Sequence, residues 1–209
     1  MKANIYIDGF NLYYGCLKDS PFKWLDVSKL AQALLPTDTI HQIKYFTAKV
    51  SARPNDPDQP MRQQTYLRAL NTIPNLTTIL GRFQTRKVYM PLVNPVEQQN
   101  KAYVVRTDEK GSDVNLALHL LHDGHRGDYE LAIIISNDAD LVEAIRLVRQ
   151  DLRLPVGVLN PQIKASRPSA ELRRAATFVK SITKQHLKAS QFPPTLTDAS
   201  GTITKPTHW

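Results

Sequence analysis

The run "ELAIIIS" (130–136) limits the fold more than any other stretch of this chain. From Leu131 to Ile135 every residue is apolar, which leaves no polar face to turn toward water. Such a run reads as a strand covered on both sides, as in a parallel sheet whose crossover connections carry helices. The flanking segments fit that reading. "NIYI" (4–7), "HQIKYFTAKV" (41–50), "TTIL" (77–80) and "LPVGVL" (154–159) read as further strands. "DVSKLAQALL" (26–35), "MRQQTYLRAL" (61–70), "SDVNLALHLLHD" (112–123), "DLVEAIRLVRQ" (140–150) and "SAELRRAA" (169–176) read as helices. The alternation predicts an α/β fold with a mostly parallel central sheet.

The helices are expected to turn particular faces inward. Val27, Leu30, Ala31 and Leu34 form one face behind a cap at Asp26. Val114, Ala117, Leu118 and Leu121 form a second, and Leu141, Ala144, Ile145 and Val148 a third. Residues 82–107 break the alternation. "FQTRKVYM" and "AYVVRT" suggest an antiparallel excursion around a loop "PLVNPVEQQN" (91–100). Residues 1–189 read as one domain. The tail 190–209 has little periodicity and either lies over the core or is mobile.

In an open α/β sheet, ligands bind beyond the carboxyl ends of the strands. Asp8 directly follows "NIYI", Asp138 and Asp140 follow "LAIIIS", and Asp113 begins a helix just behind "AYVVRT". Each acid has an ordinary reading as a turn former or cap, as does Asn11. Ordinary capping, however, accounts for one acid at a time. Carboxylates that converge repel one another and raise each other's pKa unless a positive charge sits among them. Oxygen-only ligands favour Mg²⁺ or Mn²⁺, and such an ion suits phosphodiester hydrolysis. The chain's net charge of +8, despite this acidic concentration, points to a polyanionic partner.

At "YIDGFNLYY", "EKGSDVNLALHLL" and "IIISNDADLVEAI" the sequence resembles the bacterial NYN domain, a member of the PIN-like nuclease group, over roughly residues 3–180. The resemblance implies a three-layer sandwich with helices on both faces of the sheet. It also implies an acidic pocket for Mg²⁺ or Mn²⁺ and metal-dependent ribonuclease activity. Asp8, Asp113 and Asp138 match the family's acids and would hold the cation, and Asp140 would be a further ligand or would orient the attacking water. Asn11 matches the family's Asn and would hold the pocket together or bond a phosphate oxygen. Lys110 could steady the scissile phosphate. Asn137 stands where a Gly is common and is a candidate substrate contact, as are Arg53 and Arg62, which flank a loop early in the chain. His119 occupies a position where many relatives carry Asp, which weakens the case for a second metal. The alternative is an RNA-binding or regulatory module that keeps the pocket and turns over little.

Other chemistry fits less well. His119, His122 and His125 could suggest zinc, but i and i+6 diverge around a helix. The chain has no P-loop, Gly-x-Gly-x-x-Gly or Gly-x-Ser-x-Gly motif. Cys16 is the only cysteine, so no intramolecular disulfide forms and a reduced, cytoplasmic setting is expected. Asp8 interrupts the first apolar run, and no stretch reaches the ~18 apolar residues of a membrane span. RNA is therefore the expected partner rather than a membrane, and the sequence leaves a homo-oligomer open.

Overall fold

The computed structural model describes residues 1–96, 99–162, 169–207 and 209. In chain order the elements are β1 (Lys2–Asp8), α1 (Gly9–Leu12), α2 (Val27–Leu34), β2 (Thr39–Thr47), α3 (Gln59–Leu70), β3 (Leu76–Leu80), β4 (Arg82–Val96) and β5 (Gln99–Lys110). Then follow α4 (Ser112–His125), β6 (Leu131–Ile135), α5 (Val142–Gln150), β7 (Val156–Asn160), α6 (Ala170–Ala175), β8 (Phe178–Ser181), α7 (Lys184–Ala189), β9 (Thr195–Asp198) and β10 (Gly201–Thr204).

Six strands form one parallel sheet in the order β3-β2-β1-β6-β7-β8. From β1 the chain winds outward one way to β2 and β3, and from β6 it winds the other way. The β1–β6 junction is thus the topological switch point, where helices diverge and a crevice opens at the carboxyl ends. Period-2 alternation divides the apolar residues between two cores. Ile5, Ile7, Ile133 and Ile135 face a core shared with α2, α3 and α7. Tyr6, Ala132 and Ile134 face a second core under α4, α5 and α6. The result is a three-layer sandwich with every side chain of β6 buried. Each fully buried Ile or Leu contributes about 1.5–3 kcal/mol.

Two sequence expectations require correction. The inward face of α4 is led by Leu116 and Leu120 with Ser112, Asp123 and Gly124; the expected Ala117 and Leu121 pack partly buried against the core, whereas Val114 and Leu118 are 62% and 59% exposed. The apolar period misled because a carboxylate belongs to the buried face. Asp123 accepts hydrogen bonds from Lys44 Nζ (2.6 Å) and Tyr6 Oη (2.7 Å), which makes its burial tolerable. Second, most of "PLVNPVEQQN" is strand. β4 and β5 pair from Arg82↔Lys110 to Pro91↔Lys101 and again at Val96↔Gln99. Glu97 and Gln98 of that stretch lie outside the described residues.

The tail lies over the core. Trp24 Nε1 donates to Pro193 O (2.8 Å), the Asp26 N–H donates to Ser190 O (2.8 Å), and Arg68 pairs with Asp198 (2.8 Å). The Trp209 ring stands 5.7 Å from Tyr66 and 6.3 Å from Trp24. Among the described residues no helix is long and apolar enough to cross a membrane.

Candidate active site

Asp8 ends β1 at the switch point, and its carboxylate is buried. One oxygen caps α1: Oδ1 accepts the Asn11 N–H at 2.9 Å. The other, Oδ2, accepts Ser136 Oγ–H at 3.0 Å. Capping therefore explains only half of this carboxylate. Ser136 follows β6 directly, and its Oγ also accepts the Asp138 N–H at 3.1 Å. Asp138 in turn caps the 3₁₀ turn Ala139–Leu141 by accepting the Asp140 N–H at 3.0 Å. The motif "SNDAD" thus folds so that its serine ties Asp138 to Asp8.

Asn11 and Asn137 extend this pinning. Asn11 Oδ1 accepts the Asn137 N–H at 3.0 Å, and Asn137 Oδ1 accepts the Ser169 N–H at 2.8 Å. Asn137 therefore stitches the loop after β6 to the start of α6 and does not line the pocket.

Asp113 arrives from a third direction, on the first turn of α4. That helix is capped by other groups. Gly111 takes the left-handed conformation at φ 100°, and Glu109 accepts both the Ser112 N–H (3.2 Å) and its Oγ–H (2.8 Å). Asp113 makes no cap bond, and its half-buried carboxyl is left to the crevice.

Asp8, Asp113 and Asp138 line one open pocket of about 410 Å³, together with Asn11, Arg53, Phe83, Thr107 and Glu109. Its charge is felt by its members. Burial, then the charges of Asp8, Asp138, Glu109 and Asp140, push the Asp113 carboxyl up to about 6. Burial raises Asp8 as well, with Asp138 adding to it, against the hydrogen bonds from Asn11 and Ser136.

The other sequence candidates stand further out. Asp140 is exposed and stands outside the residues lining the pocket, although its charge helps to raise Asp113. Lys110 is exposed at the end of β5. Arg62 is held by Asp56 (2.6 and 2.7 Å) and lines an adjoining cleft. His119 turns away from the acids. Its Nδ1 is 3.3 Å from Lys44 Nζ, its ring packs on Phe46, and burial with the Lys44 charge lowers its pKa. Among the described residues no three of His, Cys, Asp and Glu stand close enough to hold a metal ion as they are, which applies to the histidines of α4 also. The pocket's donor chemistry nonetheless suits a hard divalent cation, because every candidate ligand is an oxygen and the carboxylates repel one another.

Ser136 and Glu109 escaped the sequence reading. For Ser136 the signal was its place between the most buried strand and two acids. Glu109 lay within "EKGSDVNLALHLL", where Asp113 was the acid singled out.

The NYN domain model matches residues 2–183 of this chain. The 6-hydroxy-3-succinoylpyridine 3-monooxygenase HspA of Pseudomonas putida (strain DSM 28022 / S16) is 33% identical over 238 residues, an alignment covering 100% of this chain and 75% of that protein. A crystal structure of a protein of unknown function from Vibrio parahaemolyticus RIMD 2210633 has a similar fold, with a TM-score of 0.57 and 18% identity over 91% of this chain and 96% of that one.

Proposed function

Because the chain belongs to the NYN domain family, within the PIN-like nuclease group, we propose that its acidic pocket hydrolyses RNA phosphodiester bonds with a divalent cation. The observation that carries this reading is the meeting of Asp8, Asp113 and Asp138, from three separate elements, in one pocket at the switch point.

Asp8, Asp113 and Asp138 would hold Mg²⁺ or Mn²⁺. Bound there, the cation supplies positive charge to phosphate oxygens and acidifies a coordinated water. Ser136 and Asn11 fix the orientation of Asp8 before substrate arrives, so little reorganisation is left for the reaction. Asp140, at the rim, orients the attacking water or completes the ion's shell. Arg53 lines the same pocket and meets the phosphate, and Lys110 adds charge from its edge. Water oxygen bonds to phosphorus as the bond to one sugar oxygen breaks.

An acidic pocket alone repels RNA, so the substrate needs a cationic approach. The β4–β5 arm offers one. Phe83, Thr107 and Glu109 line the pocket, and by strand alternation their face continues through Lys87, Val105, Tyr89 and Tyr103 to Lys101. Tyr89 and Tyr103 are 70% and 61% exposed, with ring centroids 4.8 Å apart. Six cations on the arm (Arg82, Arg86, Lys87, Lys101, Arg106 and Lys110) face only Asp108 and Glu109 among its described acids. Stacking surfaces interleaved with lysines suit single-stranded RNA.

The test is cleavage of a labelled single-stranded RNA with Mg²⁺ or Mn²⁺, in wild type and in Asp8→Asn and Asp138→Asn. Cleavage that requires the metal and both acids supports the reading. Equal cleavage in excess chelator would overturn it, and salt-sensitive binding without cleavage under any metal would favour the regulatory alternative.

The Pseudomonas relative, named as acting on a substituted pyridine, gives a second reading: oxygenation of a small heterocycle. An aromatic-lined cleft beside the acidic pocket favours it. Oxygenation consumes O₂ and a two-electron reductant, whereas hydrolysis consumes neither. An oxygen electrode with 6-hydroxy-3-succinoylpyridine and a reduced nicotinamide separates the two.

A further inference from the structure

Behind Asp8 lies a second cavity with different chemistry. Phe10, Tyr13 and Tyr14, Tyr66 and Arg62 of α3, and Trp209 of the tail line it. Phe10, Tyr14 and Val50 also line the acidic pocket, so the two cavities adjoin. The cleft measures about 80 Å³. A water needs roughly 10–15 Å³ in such a measure, so the space holds about six water positions, the bulk of one six-membered ring.

Three observations point to a ligand rather than to leftover space. The aromatic lining leaves an open space beside the candidate active site. Gln59 lines the cleft, and among the described residues its Oε1 has no hydrogen-bond partner and is closed to solvent as it stands. A buried acceptor without a donor costs free energy, which a turn of the Gln59 amide toward a ring N–H in the cleft would recover. Two cations, Lys23 and Arg62, also line the cleft. Among the described residues Arg62 holds Asp56 through Nη2 and spends no other nitrogen on a hydrogen bond.

We propose that this cleft binds a single-ring nitrogen heterocycle carrying an anionic group. The ring stacks on the tyrosines, its N–H meets the Gln59 amide once that side chain turns into the cleft, and its acid group lies toward Lys23 and Arg62. A pyrimidine nucleotide of an RNA strand and a free hydroxypyridine acid both present this chemistry. The site exists whether or not the acidic pocket cuts RNA, so the two ideas fail separately.

The test uses the full chain in chelator without RNA, titrated with uridine 5′-monophosphate, 6-hydroxynicotinate and adenosine 5′-monophosphate while tryptophan fluorescence is followed. At least one single-ring probe is expected to saturate, and the purine nucleotide to bind more weakly. Gln59→Leu and Tyr14→Ala should each weaken binding roughly tenfold, the scale of losing one stacked ring. Preference for uridine 5′-monophosphate assigns the site to RNA, and preference for 6-hydroxynicotinate assigns it to a free heterocycle; either supports the proposal. Should a variant fail to fold, saturation-transfer NMR on the wild type decides, since magnetisation must pass from the cleft's rings to the probe. No saturable binding of either single-ring probe, purine binding as tight, or folded variants with unchanged affinity would overturn the proposal.

Discussion

Ser136 Oγ donates to Asp8 Oδ2 at 3.0 Å, joining two residues 128 positions apart in the chain. The same oxygen accepts the Asp138 N–H, so one hydroxyl fixes the spacing of two proposed ligands. Ser136→Ala removes both bonds without adding bulk. It should cost about 1–3 kcal/mol, because a buried carboxylate oxygen is left without its donor. Asp8, already raised by burial, should then rise further, moving the acid limb of any pH–rate profile to higher pH. Denaturant unfolding and the pH profile check the two parts. An unchanged acid limb would show that Ser136 does not tune Asp8.

Asp113 gives a pH prediction for the metal-free protein. Its folded carboxyl sits at about 6, above its ordinary value of 3.8. The folded state therefore holds this proton more tightly than the unfolded chain does. Its stabilising contribution is full below about pH 3.8, falls as pH rises, and is gone above about 6. Asp113→Asn should consequently raise the melting temperature more at pH 7.5 than at pH 4.5. Added Mn²⁺ should stabilise the wild type more at pH 7.5 than at pH 5, and the Asn variant less at either pH. Thermal melts with and without Mn²⁺ measure this, and equal shifts at both pH values would contradict it.

Much of the sheet could be read in the sequence because its strands are short apolar runs bounded by turn residues. "LAIIIS" and "NIYID" mark two strands and the acids beyond them, while their adjacency at the switch point comes from the strand order. The short strand Phe178–Ser181, the helix Lys184–Ala189 and the hairpin Thr195–Thr204 escaped notice, since four to six residues carry too little period to register. The inner face of α4 was only half legible, through Ala117 and Leu121, for a different reason. Its most informative inward residue, Asp123, is polar, and only its partners Tyr6 and Lys44 on other elements make it a core residue. For the site, the sequence supplied the acids but not the hydroxyl linking them, because Ser136 gains its meaning from a neighbour on β1.

That buried network supports its own prediction. Lys44 and Asp123 are both almost fully buried, with Tyr6 donating to the same Asp123 oxygen. Asp123→Asn leaves the Lys44 ammonium without its counter-charge beneath α4 and should cost about 3–5 kcal/mol. Replacing both, as Lys44→Met with Asp123→Leu, should be less costly than Asp123→Asn alone, since no unpaired charge remains buried. Chemical denaturation of the three proteins tests this. A double variant less stable than Asp123→Asn would show that the pair itself, and not the avoidance of an orphan charge, stabilises the fold.

The arm makes the proposed substrate path measurable. Phe83 and Glu109 stand opposite each other at the pocket, and Tyr89 and Tyr103 form the third pair outward on the same face. At the rise of an antiparallel strand this is about 20 Å, a reach that several nucleotides span. On the other face Arg86 and Arg106 both engage Asp108, which takes up part of their charge. Lys87 and Lys101 share the pocket's face and are the cations best set to meet phosphates. Each lysine that neutralises one phosphate contributes roughly 0.7 to the slope of log affinity against log salt for a single strand. Lys87→Gln with Lys101→Gln should therefore flatten that slope by about 1.4 and weaken binding alike for all sequences. Tyr89→Ala should instead weaken binding with the slope unchanged, because stacking releases no counterions. Fluorescence anisotropy of a labelled single strand across a salt series, on an Asp8→Asn background to prevent cleavage, separates the two effects. Binding that ignores all three substitutions would take the arm out of the RNA path while leaving the acidic pocket's chemistry to stand on its own test.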